Sequence, residues 1–309
     1  MRSRIVVLDA PSNLGLRPPV EHAVPGCYKL PWALRDAGLL PRLGASDGGA
    51  VVPGRYDRGG WQPGDGVFNA TAIAAFSERL AGRVTRYVAA GEFLIVLGGD
   101  CSVLLGAALG LRRLGRYGLA FVDGHSDFRH PGTAPPRSVG AAAGEELALV
   151  TGRGQGDLVD LEGLRPYVRD ADTVVFGIRE GDAATAELAE LRIETWPAAR
   201  LRAEGPVAAV TQALPRLEAP HLDGFWVHLD ADVLDPSVLT AVDSPDPGGL
   251  LPAELSTLLS ALVSSPYCVG LEVTVYDPDL DPDGRQAALL TDILVSAVLR
   301  LPLAEDRHP

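Results

Sequence analysis

Short, almost uninterrupted apolar runs alternate along the chain with longer stretches of helical period. Six runs predict strands: 4–9 (RIVVLD), 93–98 (FLIVLG), 118–123 (GLAFVD), 173–178 (TVVFGI), 225–231 (FWVHLDA) and 268–275 (CVGLEVTV). They are apolar at nearly every position rather than at every second one, as in strands covered on both faces of a parallel sheet. Helical periodicity covers roughly 69–90, 103–114, 183–191, 205–217, 252–264 and 285–300. This alternation predicts an α/β fold with a doubly wound, mostly parallel sheet. The Gly/Pro-rich segment 41–66 and the loop 128–140 read as irregular and exposed. Neither shows the composition shift of an interdomain linker, and there is no internal repeat, so residues 1–309 are expected to form a single domain.

Composition narrows the function classes. Apolar residues make up 47% of the chain and charged residues 22%, enough for a large core and too apolar for disorder. A net charge of −13 argues against nucleic-acid backbone binding, which needs clustered Lys and Arg. The three cysteines, Cys27, Cys101 and Cys268, form no C-x-x-C pair and no disulfide framework. A reducing, cytoplasmic compartment is expected. The N-terminal apolar run is too short for a signal peptide, and no apolar segment is long enough to span a membrane.

Three predicted strands run into polar clusters: GGDCS (98–102) with Asp100 and Cys101, DGHSD (123–127) with Asp123, His125 and Asp127, and HLDADVLDP (228–236) with His228, Asp230 and Asp232. Residues two apart in an extended segment share a face, so each D-x-H-x-D or H-x-D-x-D set can point one way. Open α/β sheets build their sites outside the carboxyl ends of the strands, where all three clusters lie. Two unit charges 4 Å apart repel by about 4 kcal/mol at an effective dielectric near 20. Converging carboxylates therefore need protons or cations, and no Lys or Arg lies within the motifs. Divalent metal is the economical solution, and two ions sharing carboxylates would activate a water. A lone Asp at a strand end is usually a cap or turn residue, and Asp235 before Pro236 is read that way.

In order and spacing these motifs resemble those of the ureohydrolase superfamily of arginases and agmatinases: GGDHS, DAHxD and S-x-D-x-D-x-x-DP. The segment AVDSPDPGGLLPAEL (241–255) resembles the proline- and glycine-rich loop that follows the third motif. The resemblance spans most of the chain and implies a three-layer α/β/α fold, two manganese ions and a bridging hydroxide that attacks a guanidinium carbon. By motif position it assigns one ion to Cys101, Asp123, Asp127 and Asp230, and the other to His125, Asp123, Asp230 and Asp232. It also implies a small-molecule substrate and a trimeric or hexameric homo-oligomer.

Three departures from the family pattern matter. Cys101 stands where the family has a metal-binding histidine. A thiolate there would open the site to zinc, iron or nickel as well as manganese. The other reading of Cys101 is a buried apolar filler, which leaves a one-metal site of Asp123, His125 and Asp232 resembling that of histone deacetylase-type amidohydrolases. The family's proton-shuttling histidine is missing from RSVGAAAGEE (137–146), leaving His130 and His228 as acid–base candidates, against a solvated loop histidine and a packing histidine respectively. Val275 falls where the family has its guanidinium-pairing glutamate, with Glu145, Glu146 and Glu272 as substitutes. For the rest of the substrate, Asp182 in FGIREGD matches a family residue that contacts an α-amino group. Ser244 lies in the proline-rich loop, and Arg129 and Arg137 could hold a carboxylate.

The expected activity is metal-dependent hydrolysis of a guanidino or amidino C–N bond, with release of an amine and urea or a urea derivative. A modified guanidine such as N-hydroxyarginine suits the altered positions. An amide or formimidoyl deacylase and a non-catalytic metal-stabilised binding protein are the alternatives.

Overall fold

A computed structural model describes residues 4–20, 22–57, 60–132 and 139–299. The strands are β1 (Ile5–Asp9), β2 (Ser46–Ala50), β3 (Phe93–Leu97), β4 (Tyr117–Val122), β5 (Thr173–Phe176), β6 (Glu194–Trp196), β7 (Gly224–Asp230) and β8 (Cys268–Thr274). They form one all-parallel sheet in the order β2-β1-β3-β8-β7-β4-β5-β6.

The uninterrupted apolar runs have a direct cause. In β3, Phe93, Ile95 and Leu97 enter one hydrophobic cluster, while Leu94 and Val96 enter another on the opposite face. The first cluster is closed by the helices Pro206–Leu217, Pro252–Val263 and Arg285–Val298, through residues such as Val210, Leu258 and Leu294. The second is closed by Ala70–Ala89 and Val103–Arg112, through Phe76, Leu80 and Leu104. Helix, sheet and helix thus make the three expected layers. At roughly 1.5–3 kcal/mol for each fully buried large aliphatic or aromatic side chain, these two faces dominate the stability of the chain.

All six predicted strands are present. Two more were not foreseen, and both are edge strands. The sequence of β2, SDGGA, is polar and glycine-rich, and three of its five residues are exposed. With only three residues, β6 is too short to show a period. The helices Leu30–Asp36, Leu39–Leu43 and Ala198–Glu204 were also missed. Part of segment 41–66 is therefore regular structure, because pairing with β1 supplies the partner that its composition does not advertise.

The topology positions the site. The strands β3, β8, β7 and β4 are consecutive neighbours, so the chain segments that leave β3, β7 and β4 emerge side by side. At about 4.8 Å per strand step, the three polar clusters start within about 14 Å of one another. Close backbone approach fixes the first. A Cβ on Gly99 would lie 1.6 Å from the Ser12 carbonyl oxygen. Asp100 closes the same turn: its N–H donates to Ser12 O at 3.0 Å, and its carboxylate accepts from Ser12 Oγ at 2.8 Å and from Ser102 N at 2.9 Å. Asp100 is a staple between two loops. Gly99→Ala must displace backbone rather than a flexible side chain, so a loss of at least about 1–3 kcal/mol is expected, measured as a lower urea midpoint with unchanged slope.

Candidate metal centre

Beneath a cavity of about 690 Å³, the ends of β3, β4 and β7 bring Cys101, His125, Asp127, Asp230 and Asp232 to one wall. Local geometry explains the arrangement. After β4 the chain bends so that Asp123 Oδ1 accepts from His125 N at 2.6 Å, and Asp127 takes a left-handed φ of 42°. After β7, Asp230 Oδ1 accepts from Asp232 N at 2.7 Å, which turns both carboxylates toward the same space. Asp232 Oδ1 in turn accepts from Gly124 N at 3.2 Å, tying the two motifs together. His125 lies between Asp232, 3.0 Å from Nδ1, and Asp246, 3.1 Å from Nε2. The Cys101 thiol donates to Asp230 Oδ2 at 2.8 Å.

The electrostatics are those of a cation site. Burial, and then the charges of Asp127, Asp230 and Asp232, push the Asp123 carboxyl well above its ordinary range. Burial and Asp232 do the same to Asp230. Burial, and then Asp127 and Asp123, raise Glu146. Asp127 rises to about 6, chiefly through burial. The Cys101 thiol is pushed up by burial and by the neighbouring Asp230 charge. His125 alone moves toward the charged form. Burial opposes that charge, but the hydrogen bond and charge of Asp232 outweigh it and lift the ring to about 10. A buried carboxylate without proton or partner is strongly unfavourable, and Asp123 Oδ2 and both Glu146 oxygens have no hydrogen-bond partner. The donor sets Asp123–His125–Asp232 and Asp123–Asp127–Glu146 each bring their atoms within 4.8 Å of one another. Orphaned buried oxygens in a mixed O, N and S donor set fit divalent metal.

The matching family model covers residues 21–299 and is described as the arginase family. This chain belongs to the arginase family. It is 28% identical to the arginase of Bacillus caldovelox over 273 residues, 86% of this chain and 90% of that one. It is 27% identical to the arginase of Bacillus subtilis strain 168 over 302 residues, 96% and 98% of the two chains. The solved structure of the Bacillus caldovelox arginase superposes with a TM-score of 0.85 at 27% identity, covering 96% of this chain and 98% of that chain. Membership makes the chain a ureohydrolase-type hydrolase acting on non-peptide C–N bonds of linear amidines, and the family implies a two-metal site.

Not every residue singled out from the sequence lines the cavity. Arg129 and Ser244 do. His130 is buried, with Nε2 2.9 Å from Glu187 and Nδ1 3.2 Å from the Pro131 carbonyl. Asp182 uses its carboxylate on backbone, accepting from Ser126 N at 3.0 Å and Ala184 N at 2.8 Å, and so braces the loop that carries Asp127. His228 is fully buried below the cavity floor, with Nδ1 2.8 Å from Glu272 Oε1 and its ring stacked on Phe121 at 4.7 Å. Asp235 is the expected turn former, accepting from Ser237, Gly248 and Gly249 N–H groups. Arg137 lies outside the described residues. Four cavity acids, Asp243, Asp246, Asp277 and Asp279, were missed. The first two occupy the loop 241–255 beside Ser244 and the others follow β8, where a loop acid carries no pattern that separates it from a solvated one.

Metal removal should invert the pH dependence of stability. The Asp127 carboxyl is pushed up to about 6 from 3.8, with burial the largest cause. Without metal the folded chain binds a proton that the unfolded chain releases, so its contribution is fully present below the unfolded value and is lost as pH rises through about 6. Metal needs the ionised groups and reverses the trend. In thermal scans, EDTA-treated protein should melt lower at about pH 7.5 than at about pH 5.5, and added divalent ion should raise Tm more at the higher pH.

Proposed function

We propose that the substrate is a modified guanidine of low basicity, such as N-hydroxyarginine, and that its cleavage releases an amine and urea or hydroxyurea. The observation that carries this is Val275, which lines the cavity with the metal donors and stands where the family pattern has its guanidinium-pairing glutamate; the cavity's other acids, Asp243, Asp246, Asp277 and Asp279, stand at other positions. Glu145, Glu146 and Glu272 do not substitute for that glutamate. Glu145 is held by Gly140 N, while Glu146 and Glu272 are fully buried beneath the site. Asp243 is one of four acids outside the metal motifs that line the cavity, with Asp246, Asp277 and Asp279.

When bound, divalent metal supplies a polarised water for attack on the central carbon of the substrate; manganese is proposed, with zinc, iron or nickel open to the thiol. Cys101, Asp123, Asp127 and Asp230 would hold one ion, and His125, Asp123, Asp230 and Asp232 the other. Asp243 pairs with the substrate's nitrogen-bearing head and orients it. Arg129 at the cavity wall pairs with a substrate carboxylate, and the Ser244 hydroxyl offers a hydrogen bond from the same loop. Asp182 acts through the loop it braces. His130 and His228, proposed as acid–base groups from the sequence, have no place on the cavity lining, so proton transfer to the leaving amine falls to cavity-facing groups. A homo-oligomer in the cytoplasm is part of the same proposal. Among the described residues no helix is long and apolar enough to cross a membrane.

The test is product release from a panel of guanidines and N-hydroxyguanidines with the metal-loaded protein, scored for urea, hydroxyurea and amine. Acetate, formate or formamide without urea would select the deacylase reading, and tight binding without turnover the non-catalytic one. Asp123→Asn should lower turnover more than about a hundredfold, beyond the range for residues that only support ligands. Asp243→Asn should act mainly on KM for the cationic head, by about tenfold or more, the loss of one charge-assisted hydrogen bond.

A further inference from the structure

His228, Glu146 and Cys101 make a donor set that none of the motif assignments contains. Each is at most 1% exposed, and their donor atoms lie within 4.8 Å of one another. His228 is arranged as metal-binding histidines are: one ring nitrogen is committed to a carboxylate, here Nδ1 to Glu272 Oε1 at 2.8 Å, which fixes the tautomer and leaves the lone pair on the other nitrogen. That other nitrogen, Nε2, is buried and has no hydrogen-bond partner. Its neighbours are oxygens, Asp123 Oδ2 at 3.9 Å and Glu146 Oε1 at 4.0 Å, which are themselves unpartnered. These separations are too long for hydrogen bonds. They are close to the spacing of donors around a shared tetrahedral ion, where bonds of about 2.0–2.3 Å place donor atoms about 3.3–3.8 Å apart.

We propose that the ion on the thiol side of the pair is held from below by Cys101 Sγ, His228 Nε2 and a Glu146 oxygen, with Asp123 completing the set, and that this position selects zinc-like cations over manganese. The inference rests on the two-metal hydrolase described above and changes its ligands. Position explains why the three residues meet. Neighbouring strand β8 carries Glu272 in register with His228 on β7, and Cys101 follows β3 on the other side of β8. Glu146 opens the helix Glu146–Val150 beneath the loop of Asp127. On binding, the thiol proton now donated to Asp230 leaves with the solvent, and the thiolate takes its place as a sulfur ligand. A sulfur, nitrogen and oxygen set suits zinc or cobalt; hard manganese prefers oxygen-rich sites.

Cobalt(II) is the probe, added to metal-free full-length protein and followed by ion count per chain, thiolate-to-cobalt charge-transfer absorption and proton NMR. The expected result is two ions, a thiolate band, and two hyperfine-shifted exchangeable imidazole N–H signals, from His125 and His228. Glu146→Gln and His228→Gln, each checked for a wild-type circular dichroism spectrum, should weaken the ion that carries the thiolate band by about tenfold or more and leave the other in place. A single shifted imidazole N–H in the unmodified protein overturns the proposal without any variant having to fold. So does an unchanged thiolate-band ion in either folded variant. Should two ions bind and urea be released without the His228 signal, the hydrolase stands and this ligand set fails. Should no cobalt bind at all, both fail together.

Discussion

Mutual repulsion among buried carboxylates is the constraint on which the rest of the structure turns. Asp123, Asp127, Glu146, Asp230 and Asp232 converge where water is scarce, and most have been pushed toward the protonated form by burial and by one another. A chain that only needed to fold would not gather them. Each pair at contact distance costs on the order of a few kcal/mol in a medium of intermediate dielectric, a sizeable fraction of the stability of an ordinary domain. The two covered faces of the sheet supply the apolar burial that lets such a cluster persist, and divalent cations turn its repulsion into attraction.

The surrounding acids show how the site keeps its shape. Asp100, Asp182 and Asp235 lie close to the donors in sequence or space, and each spends its carboxylate on backbone N–H or hydroxyl groups and locks a loop near the site. Two populations of aspartate therefore surround the cavity: one converges on the proposed cation position, the other braces the loops around it. The geometry of the donors depends as much on the second as on the first.

Much of this was legible in the sequence because its signals are local. Apolar runs of four to seven residues betray strands covered on both faces, and D-x-H-x-D beside H-x-D-x-D is costly to explain without metal. The missed elements lack local signals. The polar run of β2 is a strand only because β1 lies next to it. The places of Glu146, Glu272 and Asp243 depend on strand order, which periodicity does not report. Glu272 reads as one polar residue in an apolar run until register sets it against His228. His228 is expected from the sequence to do acid–base work or to pack beside the motif; it is fully buried and outside the cavity lining, and in the proposed ligand set it takes a ligand's place.

The two margins of the sheet have a consequence for self-association. Pairing to another strand requires a long, flat, unprotected row of backbone groups. At one margin, the Gly48 carbonyl of β2 is capped by Arg83, and Asp47 is engaged by Arg35; at the other, β6 is only three residues long. Among the described residues neither margin is a long bare edge, which disfavours strand-to-strand pairing between copies and leaves helices and loops as the surfaces through which they would meet.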